Sequence, residues 1–204
     1  MRSYLFAVSL LLAVVALSPA FADTELSGQG PGGAYYKIVV PDSWNNKLVI
    51  WNHGFSLSPV GPVDDLGPLV DVHLAEGFAV AASSYRLAGW AVFDTSEDLE
   101  EMVDAFIDEF GAPDEVYMYG ASLGGIVTAA ALEQADLGNV VAAFPFCGAV
   151  AGARNWDGGL DFRLIYDVYC RKGASKIGGG AFGLDLSSAP TPEAVGAAVN
   201  AARV

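Results

Sequence analysis

Gly120-Ala121-Ser122-Leu123-Gly124 sets one serine between two glycines, each two residues away. The residues before it, Glu115–Tyr119, read as a short apolar strand, and Gly125 to Glu133 reads as an Ala-rich helix. A serine at such a strand-to-helix turn is held in a strained backbone conformation that lifts its hydroxyl clear of the sheet, as a nucleophile requires. Gly120 and Gly124 are needed because a Cβ at either position would collide across the tight turn. A Gly-rich helix start with an N-capping serine would use the same residues. The strand in front of the motif favours the nucleophile.

A second element of acyl-transfer chemistry lies upstream. Asn52-His53-Gly54-Phe55 follows the apolar run Lys47–Trp51. A serine nucleophile needs two backbone N–H groups to hold the oxyanion of its tetrahedral intermediate. Leu123, the residue after Ser122, is the first candidate donor, and Phe55, just after His53-Gly54, is the second. The plainer reading of the loop is an ordinary glycine turn closing a strand. His53 itself is expected to be structural, its imidazole tying down the turn.

The base is harder to find. Serine at its own pKa is a poor nucleophile and needs a neighbour that accepts its proton near neutral pH. The chain has two histidines, His53 and His73, and both precede Ser122. His73 falls in a predicted helix, Leu66–Ala75, and reads as a surface or packing residue. Asp157, Asp161 and Asp167 follow the serine and are weak candidates for a supporting acid. These residues do not make a complete Ser-acid-His set.

The elements that must position these groups alternate along the chain. Tyr35–Val40 and Lys47–Trp51 read as strands, Leu66–Ala75 as a helix and Phe78–Ser83 as a buried strand. Leu99, Met102, Val103, Phe106 and Phe110 recur at helical spacing, with Thr95 and Asp98 in a capping-box pattern and Gly111 and Pro113 as the stop. Another strand follows at Val140–Phe146. Such alternation predicts an α/β class with a mostly parallel sheet and helices on both faces. Beyond Cys147 the pattern weakens: Asp161–Tyr169 reads as helical, Lys176–Phe182 as loop, and a last helix starts at Thr191-Pro192-Glu193.

Arg2, an apolar run from Tyr4 to Leu17 and Ser18-Pro19-Ala20-Phe21-Ala22 form a secretory signal peptide, residues 1–22, cut after Ala22. The run is short for a membrane span and ends in proline and small residues. A secreted or periplasmic protein is expected, with no membrane association after cleavage. The full chain's net charge of −14 disfavours nucleic acid and anionic lipid. In an exported protein the two cysteines, Cys147 and Cys170, are expected to form one disulfide, and with two distant histidines they make no metal site.

Val40-Pro41, Trp44-Asn45-Asn46-Lys47-Leu48-Val49, His53-Gly54, Ser83-Ser84-Tyr85-Arg86, Gly89-Trp90-Ala91, the Gly120–Gly124 turn and Phe146-Cys147-Gly148 occur in this order. Together they resemble secreted bacterial α/β-hydrolases of the esterase and serine-peptidase type. The resemblance covers roughly residues 35–170. It implies an α/β-hydrolase core over 23–147 and a partial lid over 148–204 containing Asn155-Trp156. It also implies a Ser-acid-His triad, no cofactor, and a small-molecule ester or peptide substrate. Ser122, Leu123 and Phe55 take the nucleophile and donor roles. In that plan two further strands follow Val140–Phe146. None is predicted here, so the chain is expected to be the front part of a longer enzyme. A complete chain that binds an apolar ligand without turnover is the alternative.

Overall fold

The computed structural model describes residues 23–169. The predicted signal peptide, Cys170, the loop at 176–182 and the helix from Thr191 lie outside them. The described residues form strands β1 (Thr24–Gln29), β2 (Tyr35–Val40), β3 (Lys47–Asn52), β4 (Ala79–Ser83), β5 (Glu115–Ala121) and β6 (Val140–Phe146). The helices are α1 (Val70–Ala75), α2 (Thr95–Phe110), α3 (Leu123–Gln134) and α4 (Ala153–Tyr169). One sheet runs in the order β1-β2-β4-β3-β5-β6. β4, β3, β5 and β6 are parallel, and the β1–β2 hairpin adds to β4 in the antiparallel sense. The mostly parallel α/β architecture expected from the sequence is the one observed.

Leu48-Val49-Ile50-Trp51 and Ala79–Ser83 are buried along their whole length, because central parallel strands are covered on both faces. One face carries Ile38, Leu48, Ile50, Ala81, Val116 and Met118. Onto it pack Leu99, Met102, Val103 and Phe106 of α2 and Val127 and Ala131 of α3. The apolar stripe read at helical spacing is therefore the seam of α2. The opposite face is smaller: Val39, Trp51, Val80 and Ala82, covered by Leu66, Val63 and the α1 residues Val70 and Leu74.

Three expectations change. Helix α1 starts at Val70 and not at Leu66, because Gly67 takes a φ of 94° and Pro68 follows it. The capping box at Thr95 and Asp98 does not form. Asp94 occupies the cap position, Thr95 Oγ1 donates to the Val92 carbonyl, and Asp98 turns away to Arg86. Tertiary partners took both side chains. Strand β1 was not predicted, since Thr-Glu-Leu-Ser-Gly-Gln carries one large apolar residue and lies at the sheet's margin. A tight hairpin closes it, with the Gly33 N–H on the Gly30 carbonyl at 2.9 Å.

At the other margin, β6 pairs with β5 alone among the described residues. Phe144 and Phe146 are 63% and 57% exposed, with ring centroids 5.8 Å apart. Pro145, which lacks an N–H, sits in this strand as prolines do at sheet edges. Val150 and, on α4, Phe162 and Ile165 are also exposed.

Candidate active site

Strand β5 ends by turning into α3 within a single residue, Ser122. Its φ of 58° and ψ of −119° are costly for a residue with a Cβ. The turn is held from both sides: the Ser122 N–H donates to the Phe146 carbonyl at 3.1 Å, and the Ser122 carbonyl accepts from Gly125 at 3.0 Å. The residue is exposed, while Leu123 and Gly124 behind it are buried. Gly120 and Gly124 are both needed. A Cβ on Gly120 would meet the Gly124 carbonyl, its carbon at 2.6 Å. A Cβ on Gly124 would run into the Asn52 carbonyl oxygen and lie 2.6 Å from that of His53.

That second approach joins the two halves of the site. Strands β3 and β5 are parallel neighbours, and their last paired residues are Asn52 and Gly120. Phe55 and Leu123 each lie three residues past that pair, so both chains leave the sheet at the same level. Gly54 borders the turn, where an added Cβ would lie 3.4 Å from the Ala121 carbonyl and 3.8 Å from Ser122 Cβ. Among the described residues, the backbone N–H groups of Leu123 and Phe55 have no acceptor. Asn52 is fully buried and donates through Nδ2 to Thr128 Oγ1 at 2.9 Å, pinning the end of β3 to α3. This support was not foreseen from the sequence; an asparagine ending an otherwise apolar strand is its one signal.

His53 is engaged with its own loop and with Tyr85. Its Nδ1 lies 2.7 Å from the Gly54 carbonyl, and its ring stacks on Tyr85 at 4.2 Å. His73 is half-buried on α1, edge-on to Tyr119 at 5.5 Å and Phe78 at 6.1 Å. Its Nε2 is buried without a hydrogen-bond partner, and desolvation pushes its pKa down. Asp157 and Asp161 are exposed on α4, which begins earlier than the predicted Asp161. Phe55 and Trp90 are exposed. Cys147 is exposed directly after β6.

A cavity of about 460 Å³ opens on the far side of the His53–Phe55 loop. Its walls include His53, Phe55, Val63, Ser84, Tyr85 and Leu87, and Ser122 is not part of its lining. No group of three or more His, Cys, Asp or Glu among the described residues is placed to hold a metal ion. None of the described helices is long and apolar enough to cross a membrane.

No family model matches the chain. It is 33% identical over 116 residues to an o-phthalyl amidase from Xanthobacter agilis, a stretch covering 55% of this chain and 24% of the amidase. An esterase from Pyrococcus furiosus superposes in two crystal forms. The first gives a TM-score of 0.52 at 18% identity, covering 70% of this chain and 55% of the esterase. The second gives 0.51 at 17% identity, covering 69% and 56%. The chain thus spans about a quarter of the amidase and just over half of the esterase. Sheet order, crossover helices and the turn at Ser122 together give this chain the α/β-hydrolase fold.

Proposed function

We propose that the chain carries the nucleophile and oxyanion half of a serine hydrolase acting on carboxylic ester or peptide bonds. One observation carries the reading. Ser122, exposed at the C-terminal end of a central strand, holds a φ of 58° against a glycine loop from the neighbouring strand. Strain of this kind persists where the surroundings over-determine it, and it gathers at reactive groups. The similarity to an amidase and an esterase supports the reaction class.

In this reading Ser122 Oγ attacks the substrate carbonyl and gives its proton to a base. The Leu123 and Phe55 N–H groups hold the oxygen that becomes negative. The intermediate collapses to acyl-Ser122, the leaving alcohol or amine taking the proton. Water then repeats the sequence and frees the acid. His53 is engaged with its own loop and His73 is packed on α1 against Tyr119, so in this reading neither serves as the base. The same export reading keeps the signal peptide cut after Ala22, and Cys147 bridged to Cys170.

A second reading rests on those two occupied histidines: the cleft binds an apolar ligand without turnover. A fluorophosphonate probe separates the two. The 204-residue chain is expected to label little or not at all, and a form extended past Val204 to label readily until Ser122→Ala abolishes it. Labelling that survives Ser122→Ala removes Ser122 as nucleophile. Silence from the extended form leaves the binding reading.

A further inference from the structure

The loop that carries Phe55 hangs free of the sheet after Asn52, yet an oxyanion donor works only when its position is set in advance. Something outside β3 must hold it. Two contacts from beyond β4 reach it: the Gly89 N–H donates to the Ser56 carbonyl at 2.7 Å on the far side of Phe55, and Tyr85, two places past the end of β4, holds the His53 side. Its ring is 1% exposed and stacks on His53 with 23° between the planes. Its hydroxyl donates to the His53 carbonyl at 3.1 Å. That carbonyl belongs to the peptide whose N–H side is Gly54, one residue before Phe55. Burial and the nearby Asp98 charge push the phenol's pKa far up, so it stays a donor at every working pH.

Tyr85 is itself held in an unfavourable conformation. Its φ is 57°, a region that bulky L residues rarely adopt. Three contacts keep it there: its N–H donates to Ser83 Oγ at 3.0 Å, its carbonyl accepts from Ser84 Oγ at 3.0 Å, and the next residue is clamped onto α2. The Arg86 N–H donates to Asp98 Oδ2 at 2.9 Å, and its guanidinium bonds Asp98 Oδ1 and pairs with Glu97 at 2.8 Å. The Asp98 side chain is fully buried. A chain of contacts therefore runs from α2 through Arg86 and Tyr85 to His53, and from Gly54 to the turn at Ser122.

We infer that Tyr85 is a positioning residue, locked by the Arg86–Asp98 pair, that fixes the His53–Phe55 loop so that its backbone N–H faces the oxygen forming over Ser122. The inference rests on the hydrolase reading for its catalytic consequence and on geometry alone for the anchoring. A tyrosine that only filled the core would need neither the hydroxyl nor the strained backbone, since phenylalanine fills the same space.

Tyr85→Phe is the decisive variant, because it keeps the ring and the stacking and removes one hydrogen bond. In the 204-residue chain, ¹⁵N relaxation of the Gly54 and Phe55 amides reads the anchoring without any turnover. Their order parameters are expected to fall from the rigid range, about 0.85, toward about 0.6, while those of Leu48–Trp51 stay unchanged. Unchanged values at Gly54 and Phe55 overturn the anchoring. In a form that labels with fluorophosphonate, the maximal labelling rate is expected to fall about 10- to 100-fold with the half-saturating probe concentration unchanged. A loosened loop with an unchanged maximal rate overturns the positioning role. Absence of labelling in a form extended past Val204 counts against the hydrolase reading, and the relaxation data still decide the anchor.

Discussion

Adding one methyl group at Gly124 tests how tightly the two halves of the site are pressed together. Real Cβ atoms essentially never come within 3.0 Å of such neighbours, and an alanine here would sit 2.6 Å from the His53 oxygen and 2.7 Å from the Asn52 carbonyl carbon. It would press harder still on the Asn52 oxygen. The backbone at His53 would have to retreat by about half an ångström and at Asn52 by more. Asn52 cannot move alone: β3 is paired on both sides, to β4 and to β5, and Asn52 Nδ2 is bonded to Thr128. Overpacking into yielding side chains costs about 1–3 kcal/mol. Against a central strand the cost should reach about 3 kcal/mol or more, lowering the melting temperature by about 6–12 °C for a chain of this size. Circular dichroism melts of Gly124→Ala and of Gly158→Ala make the comparison. Gly158 lies on α4 with nothing within 4 Å of an added Cβ, and alanine there should gain about 1 kcal/mol of helix stability. If Gly124→Ala melts within about 2 °C of the parent, the close approach at the turn is not what holds the site together.

Ser122→Gly should relieve the positive φ while abolishing any probe labelling, stabilising the fold by about 1 kcal/mol in a urea titration; a destabilised variant refutes the strain. His73 has a depressed pKa in the folded state, so the unfolded chain binds more protons as pH falls through the ordinary histidine range. Its contribution to stability is present above a pH of about 6.5 and is lost progressively below it. His73→Phe should therefore melt with a weaker pH dependence between about pH 7 and 5 than the parent, and parallel curves would show that His73 titrates freely.

Much of this was legible in the sequence where a residue's environment is local or its burial is complete. The runs Lys47–Trp51 and Val140–Phe146 and the stripe from Leu99 to Phe110 announce a strand or a helix by composition and spacing. Gly120 and Gly124 announce the turn because no other residue fits there. What escaped depends on distant partners. Thr95 and Asp98 have the spacing of a capping box, yet Arg86 claims the carboxylate because a buried charge must be paired. Strand β1 carries almost no apolar signal since it needs the edge of β2 more than the core. Tyr85 stood within a recognised run of residues, but its bond to the His53 carbonyl spans 32 positions that no periodicity connects.

The register of β3 against β5 bears on how the protein loses its site as well as on how it builds it. Both donor-bearing loops spring from adjacent interior strands, each flanked by a partner on either side. Among the described residues β1 and β6 each have a single neighbour; an opening at β1 leaves the spacing between those strand ends untouched, whereas one at β6 takes away the Phe146 carbonyl that accepts the Ser122 N–H. The distance between Gly54 and Ser122 is thus insulated from fraying at the β1 margin, and it should be given up first from the β6 side, where the turn loses its acceptor.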